Sequence, residues 1–139
     1  MKIVCFGEAL IDFPAQPGEP RAFLQFAGGA PANVAVAIAR LGGASQFAGM
    51  LGNDMFGDFL FDSLRDAGVD TSAIVRTDDA KTALAFVQLD GDGERSFNFY
   101  RPPAADLLFR DAHFDDAMFR DAAFFHVCSN SMTEAAIAE

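Results

Sequence analysis

Asp12, the run Gly28-Gly29-Ala30-Pro31-Ala32-Asn33 and Arg101 are the residues of this chain whose types and spacing suit ligand chemistry. Glycines at a helix start let the backbone approach a ligand closely, and the helix N-terminus offers N–H donors with no intrahelical partner. Asn33 adds a donor and an acceptor, and Asp12 adds two acceptor oxygens. Neutral polyols need this mixture, because a carboxylate can accept from two neighbouring hydroxyls while amide and backbone groups read the others. Asp12 and the 28–33 run are therefore expected to converge on one uncharged polyol. The residue types alone also fit a loop aspartate and a helix-start asparagine. Arg101 follows Phe97, Phe99 and Tyr100 and precedes Pro102-Pro103. It could clamp a polar substrate whose apolar face lies on Phe99, or lay its stem over apolar surface at a sheet edge. Asp54, after Gly52-Asn53, is expected to cap a helix.

Other chemistries lack their residues. Gly7-Glu8-Ala9 is not the GxGxxG dinucleotide turn, and neither Lys2 nor Lys81 sits in a GxxxxGK[ST] phosphate loop. His113 and His126 have no Cys or His at metal-ligand spacing, so His126 is expected as a hydrogen-bonded core residue and no metal site is assigned. Asp90-Gly91-Asp92-Gly93-Glu94 resembles a calcium loop only faintly, with Arg95 and Arg101 at the positions that need Gly and Glu, and is expected to be a hairpin turn. Cys5 and Cys128 lie far apart in apolar runs and are expected to be free thiols in a reducing compartment. Twenty acidic against ten basic residues give a net charge of −10, which argues against a nucleic-acid partner and an anionic membrane surface. No apolar stretch approaches the roughly 20 residues of a membrane span, and the N-terminus lacks a signal-peptide apolar region, so a cytoplasmic location is expected.

The elements that must position these residues follow from patterning. The chain has 139 residues, 51% of them hydrophobic and sixteen of them Phe, enough for one domain with a real core. Ile3 to Phe6 reads as a strand buried on both faces. Residues 12–20, with three Pro and a Gly, read as turns or an edge, and Arg21 to Ala27 as one short half-buried strand. Pro31 suits the first turn of a helix running to Leu41, whose residues leave almost no polar face and predict burial nearly all round. Ser45 to Leu51 reads as a buried strand, Met55 to Ala67 as an amphipathic helix, and Thr82–Asp90 with Glu94–Arg101 as a hairpin. Asp115 to Asp121 reads as a short helix and Ala123 to Cys128 as a further buried strand. Ser131-Met132-Thr133-Glu134 is a capping box that would open a helix only about two turns from Glu139. A parallel strand followed by a helix expects a return strand, so the chain is expected to be cut within a larger α/β unit.

These residues resemble the ribokinase-like (PfkB) carbohydrate kinase family, its bacterial fructokinases above all. Gly28-Gly29-Ala30-Pro31-Ala32-Asn33-Val34-Ala35 is similar to the family's N-terminal signature and continues in register through Arg40-Leu41-Gly42 and Gly49 to Asp54. Gly7-Glu8-Ala9-Leu10-Ile11-Asp12 looks like the opening strand with its sugar-binding aspartate, and Phe99 to Asp106 like the stretch after the lid strands. The resemblance implies a three-layer α/β/α sheet with a small β-sheet lid, its strands near 12–27 and 82–101. It implies transfer of the ATP γ-phosphoryl group, with magnesium, to a sugar hydroxyl, fructose first. The alternatives are a 2-keto-3-deoxygluconate, ribose or nucleoside kinase of the same family, or a non-catalytic fragment. Asp12, Gly28, Gly29 and Asn33 would hold the sugar, completed by Phe99 and Arg101 from the lid, and a homodimer through the lid is implied. The family's Gly-Ala-Gly-Asp turn, with the catalytic base and anion hole, does not occur in residues 1–139, nor does the adenine-binding region. No catalytic residue is therefore assigned in this chain, which is expected to be inactive alone, with ATP and magnesium held mainly outside it.

Overall fold

The computed structural model describes residues 1–89, 94–101 and 103–133. Two sheets organise them. The main sheet has the order β6-β5-β1-β9, built from β1 (Lys2–Phe6), β5 (Ser45–Gly52), β6 (Asp70–Thr77) and β9 (Ala122–Val127). All its pairings are parallel. Parallel neighbours need crossovers, and α1 (Ala30–Arg40) and α2 (Met55–Asp66) supply two of them. Both helices pack on one face, around Cys5, Phe47, Leu51, Leu60 and Leu64. The opposite face (Val4, Phe6, Ala48 and Met50) is covered by a 3-10 turn at Ala105–Leu108, by Phe109 and by the one-turn helix α3 (Asp116–Phe119). Alternate residues of β1 and β5 thus feed two different cores, which is why both strands are apolar throughout.

The second sheet has the order β3-β2-β7-β8, from β2 (Leu10–Gln16), β3 (Glu19–Phe23), β7 (Leu84–Leu89) and β8 (Arg95–Tyr100). The short β4 (Phe26–Gly28) also pairs with β2. One face carries Phe13, stacked on Phe86 at 5.0 Å, with Phe23 and Tyr100 edge-on to Phe86 and Phe13 edge-on to Phe56 of α2. That aromatic group joins the second sheet to the helical layer. The β7–β8 pairing is an antiparallel hairpin, as patterning predicts; its turn at 90–93 lies outside the described residues.

Several expectations are corrected. Residues 12–20 are largely strand: β2 runs through Pro14 and sits inside its sheet, tolerated because Pro14 offers only its carbonyl, to Leu24 N–H at 3.4 Å. Arg21 to Ala27 is not one strand but the end of β3 and the start of β4, separated at Leu24-Gln25, so that β2 is paired first by one and then by the other. In α1 only Pro31, Ala32 and Ala35 are buried, while Ala30, Asn33, Ala37 and Arg40 are exposed. A run of small apolar residues permits burial all round but does not supply the neighbours. Among the described residues β9 has one sheet neighbour, β1, with Phe124 66% and Phe125 45% exposed. β6 has no expected counterpart: its Thr71, Ser72, Arg76 and Thr77 hide the strand pattern. Ser131 stands in a 3-10 turn (Ser129–Met132), while Glu134 and the helix expected after it lie outside the described residues.

Candidate functional site

The C-terminal ends of parallel strands in an α/β sheet are where ligands gather, and the chain leaves β1 there through Gly7, Glu8 and Ala9 toward Asp12. Leu10, Ile11 and Asp12 pair antiparallel with Gly28, Ala27 and Phe26, which brings the glycine run beside the aspartate. A side chain on Gly28 would collide with Asp12 Oδ2, so only glycine leaves room for that carboxylate. Gly29 has φ +104°, a backbone that side chains resist, and a Cβ there would lie 2.5 Å from the Glu8 carbonyl oxygen. The α1 N-terminus has no side-chain cap from its own N-cap position. Instead Ala30 N–H donates to Glu8 Oε1 at 3.4 Å, a buried carboxylate at the positive end of the helix.

Pairing places Phe26, Asp12, Ala85 and Phe99 in one row across the second sheet, and Pro14, Val87 and Phe97 in another on the same face. On this face Asp12, Pro14, Ala15, Phe26, Val87, Arg95 and Phe97 line a cavity of about 420 Å³. Phe97 and Phe99 stack at 5.8 Å and remain half exposed. Asp12 is partly buried and has no hydrogen-bond or ion-pair partner among the described residues; burial holds its carboxyl above the ordinary aspartate value. An unpaired carboxylate beside a glycine backbone and aromatic walls can accept hydrogen bonds from hydroxyls while C–H surface packs on the rings.

The six residues singled out by sequence fall into four places. Asp12 and Gly28 are in contact, and Phe99 shares their sheet face. Gly29 sits behind them, against the Glu8 carbonyl. Asn33 is exposed on the first turn of α1 and lines a different cavity, of about 190 Å³, between α1 and α2; Gly28 lines that cavity too. Arg101 is paired within the chain. Its side chain is 11% exposed; Nε donates to Asp106 Oδ2 at 2.7 Å, and Nη2 forms an ion pair with the same oxygen at 2.7 Å. Asp106 was not among the expected site residues, although a buried acid five positions after an Arg is a detectable pairing signal. Glu8, engaged by Ala30 N–H and by the Ser131 hydroxyl at 3.0 Å, was missed as well.

The remaining polar groups serve the fold. Asp54 caps α2 by accepting from Phe56 and Gly57 N–H, and its other oxygen accepts from Thr82 N–H. Burial opposes its ionisation, but the backbone donors of Thr82, Gly57 and Phe56 outweigh it and hold the carboxyl below the ordinary value. Cys5 and Cys128 are both free, and His126 Nε2 lies 3.3 Å from Cys128 Sγ. Among the described residues no helix is long and apolar enough to cross a membrane, and no three His, Cys, Asp or Glu side chains gather to hold a metal.

Comparison with known proteins places this arrangement. Over residues 1–138 the chain matches the model of the pfkB family carbohydrate kinases. It is similar to fructokinase-1 of Oryza sativa, 51% identical over 135 residues, which cover 94% of this chain and 42% of the relative. It is also similar to the fructokinase of Xylella fastidiosa, with a TM-score of 0.93 and 74% identity over 99% of this chain and 43% of that one, a protein also solved with ATP bound. A putative ribokinase II from E. coli superposes with a TM-score of 0.91 at 30% identity, over 98% of this chain and 46% of its own. The chain thus spans less than half the length of the relatives it matches, with its parallel sheet, its second sheet and its glycine loop all inside the shared part. A match across essentially every residue, together with the glycine loop packed on Asp12, makes the chain a member of the pfkB family of carbohydrate kinases.

Proposed function

We propose that this chain carries the sugar-binding part of a fructokinase-type enzyme, which transfers the ATP γ-phosphoryl group to a hydroxyl of fructose. The observation that carries the reading is the unpartnered Asp12 carboxylate packed against Gly28 in an aromatic-walled cavity. The likeness to fructokinases of plants and of Xylella fastidiosa supports it. In this reading Asp12, Gly29 and Asn33 hold sugar hydroxyls with Gly28 beside them, and Phe99 and Arg101 complete the pocket from the second sheet acting as a lid. In this reading the general base and the groups that stabilise the transferring phosphoryl lie outside these 139 residues, as do, in the main, the sites for ATP and magnesium. Two free thiols suit a reducing cytoplasm. Exposed Phe97, Phe99 and Tyr100 on the lid support a homodimer through that sheet, which analytical ultracentrifugation tests against a Phe97→Ser variant. Ligand-observed NMR with fructose tests the central claim: saturation transfer to fructose, lost in Asp12→Asn, is the expected result. Transfer that persists in that variant overturns it. Assayed with fructose and MgATP, the chain alone is expected to show no turnover, and turnover comparable to an intact kinase overturns the division of labour.

A further inference from the structure

The antiparallel register that pairs Asp12 with Phe26 and Leu10 with Gly28 would next set Ala9 against Gly29 and Glu8 against Ala30. The first of these approaches is kept: a Cβ on Gly29 would lie 2.8 Å from Ala9 Cα. At the second the chain has already turned into α1, and a side chain takes the place of the ladder bond. Ala30 N–H, one of the helix donors without an intrahelical partner, donates to Glu8 Oε1 at 3.4 Å. The other oxygen, Oε2, accepts from the Ser131 hydroxyl at 3.0 Å, across 123 positions of chain. Glu8 and Ser131 are 3% and 2% exposed. The segments that Glu8 joins also meet directly. Gly7, at φ +140°, has no room for a side chain beside Ser131 Oγ and Pro31 Cγ, so the backbone before Glu8 abuts both the turn after β9 and the first turn of α1. A buried carboxyl with both oxygens engaged is held in one place, and removing it leaves the buried Ser131 hydroxyl without its acceptor.

We propose that Glu8 is a positioning residue for the sugar site: it pins the root of the glycine loop, and through Ser131 it makes the placement of that loop depend on the turn at Ser129–Met132. The proposal rests on the reading of the Asp12 cavity as the sugar site. Glu8 does not line that cavity. Its leverage comes from its place in the chain. It stands four residues before Asp12 and holds the residue two beyond Gly28, so it closes the open end of the β2–β4 pair that brings carboxylate and glycine together. Without that closure the loop gains freedom that a bound sugar must remove again, and affinity falls. A second consequence is coupling. A shift of the segment after β9 changes the loop, and a sugar held by the loop in turn favours one placement of that segment.

The test reads loop and ligand separately, on the 139-residue chain, in wild type, Glu8→Ala, Glu8→Gln and Ser131→Ala. Amide hydrogen exchange and amide NMR shifts report on Gly28, Gly29 and Ala30. An NMR titration below every melting transition reports fructose affinity. Glu8→Ala is expected to speed exchange of the Ala30 amide about tenfold or more and to weaken fructose about tenfold, the worth of one charged hydrogen bond to the sugar. Glu8→Gln can keep both bonds, its amide oxygen accepting from Ala30 and its NH2 donating to the Ser131 oxygen, and should rescue exchange and affinity together. Ser131→Ala should shift the Gly28 and Gly29 amides and weaken fructose by a smaller factor. Native loop amides and native affinity in a Glu8→Ala chain that still melts cooperatively overturn the proposal and leave the sugar-site reading standing. Freed loop amides with native affinity overturn the proposal too, as does a Glu8→Gln chain that behaves like Glu8→Ala. Freed loop amides in Glu8→Ala, with no fructose binding even in wild type, overturn the sugar-site reading and leave Glu8 as the residue that places the loop. If Glu8→Ala does not fold, Ser131→Ala decides: loop amides that ignore it overturn the proposal.

Discussion

Gly28→Ala and Gly29→Ala, one residue apart, should separate what the glycine loop does for binding from what it does for folding. At Gly29 the backbone sits at φ +104°, ψ 127°, a conformation that costs a non-glycine residue about 1–3 kcal/mol. The new Cβ would also lie 2.5 Å from Glu8 O and 2.8 Å from Ala9 Cα, backbone atoms held by β1 and β2 that cannot swing aside. Adding the contact to the strain gives roughly 2–4 kcal/mol, or a melting temperature lower by roughly 6–16 °C for a chain of this size. At Gly28 the backbone has no positive φ, and the obstacle is the Asp12 carboxylate, the free end of a side chain. It can rotate away, so the fold should lose less than about 1 kcal/mol. The rotated carboxylate, however, no longer faces the cavity, and each charged hydrogen bond lost to a sugar hydroxyl costs about 1.5–3 kcal/mol, at least tenfold in affinity. Circular-dichroism melts and a fructose titration by NMR read the two effects separately. The reasoning fails if Gly28→Ala melts as low as Gly29→Ala, or if Gly28→Ala keeps both native melting and native affinity.

Asp12→Asn should abolish sugar binding yet melt at or above the wild type at neutral pH. Burial holds the folded Asp12 carboxyl above its unfolded value, so its ionisation costs stability as pH rises through the folded value, and the advantage of Asn should vanish in acid, where both states are protonated; a lower melting temperature at neutral pH refutes this. Asp54→Ala should cost about 1–2 kcal/mol through the lost α2 cap, seen as a lower urea midpoint. With the folded Asp54 carboxyl depressed, that contribution is present above the unfolded value and lost as pH falls through the folded one, so a gap between variant and wild type that is unchanged in strong acid counts against it. Burial, helped by Cys128, pushes the Cys5 thiol up to about 11, so a thiol reagent at neutral pH should label at most Cys128 quickly, and two fast-reacting thiols in the native chain would contradict the buried position of Cys5.

What patterning could read here was whatever one element decides by itself. Pro31 after two glycines, the amphipathic stripe of Met55 to Ala67 and the Asp54 cap are local, and each stands where its residues indicate. Burial is not local. Ile3 to Phe6 and Ala123 to Val127 are similar apolar runs, yet among the described residues one has two sheet neighbours and the other has one. Nothing in either run states how many strands will flank it. The same limit explains β6: its polar residues sit beside β5 at the sheet edge, where Ser72 can take the Gln46 amide at 2.9 Å and Arg76 can reach Asp58 and the Gly52 carbonyl, so it needed no strand-like apolar alternation to form.

The site divides along the same line. Gly28 beside Asp12 is readable because a glycine signature and an aspartate after a strand each carry their own conformational meaning. Arg101 is not, because a charged side chain acquires its meaning from the group opposite it. Taken alone, Arg101 next to Tyr100 fits a sugar acid as well as a neutral sugar. Paired through two nitrogens to a buried Asp106, with Glu8 behind, it no longer offers a free positive charge.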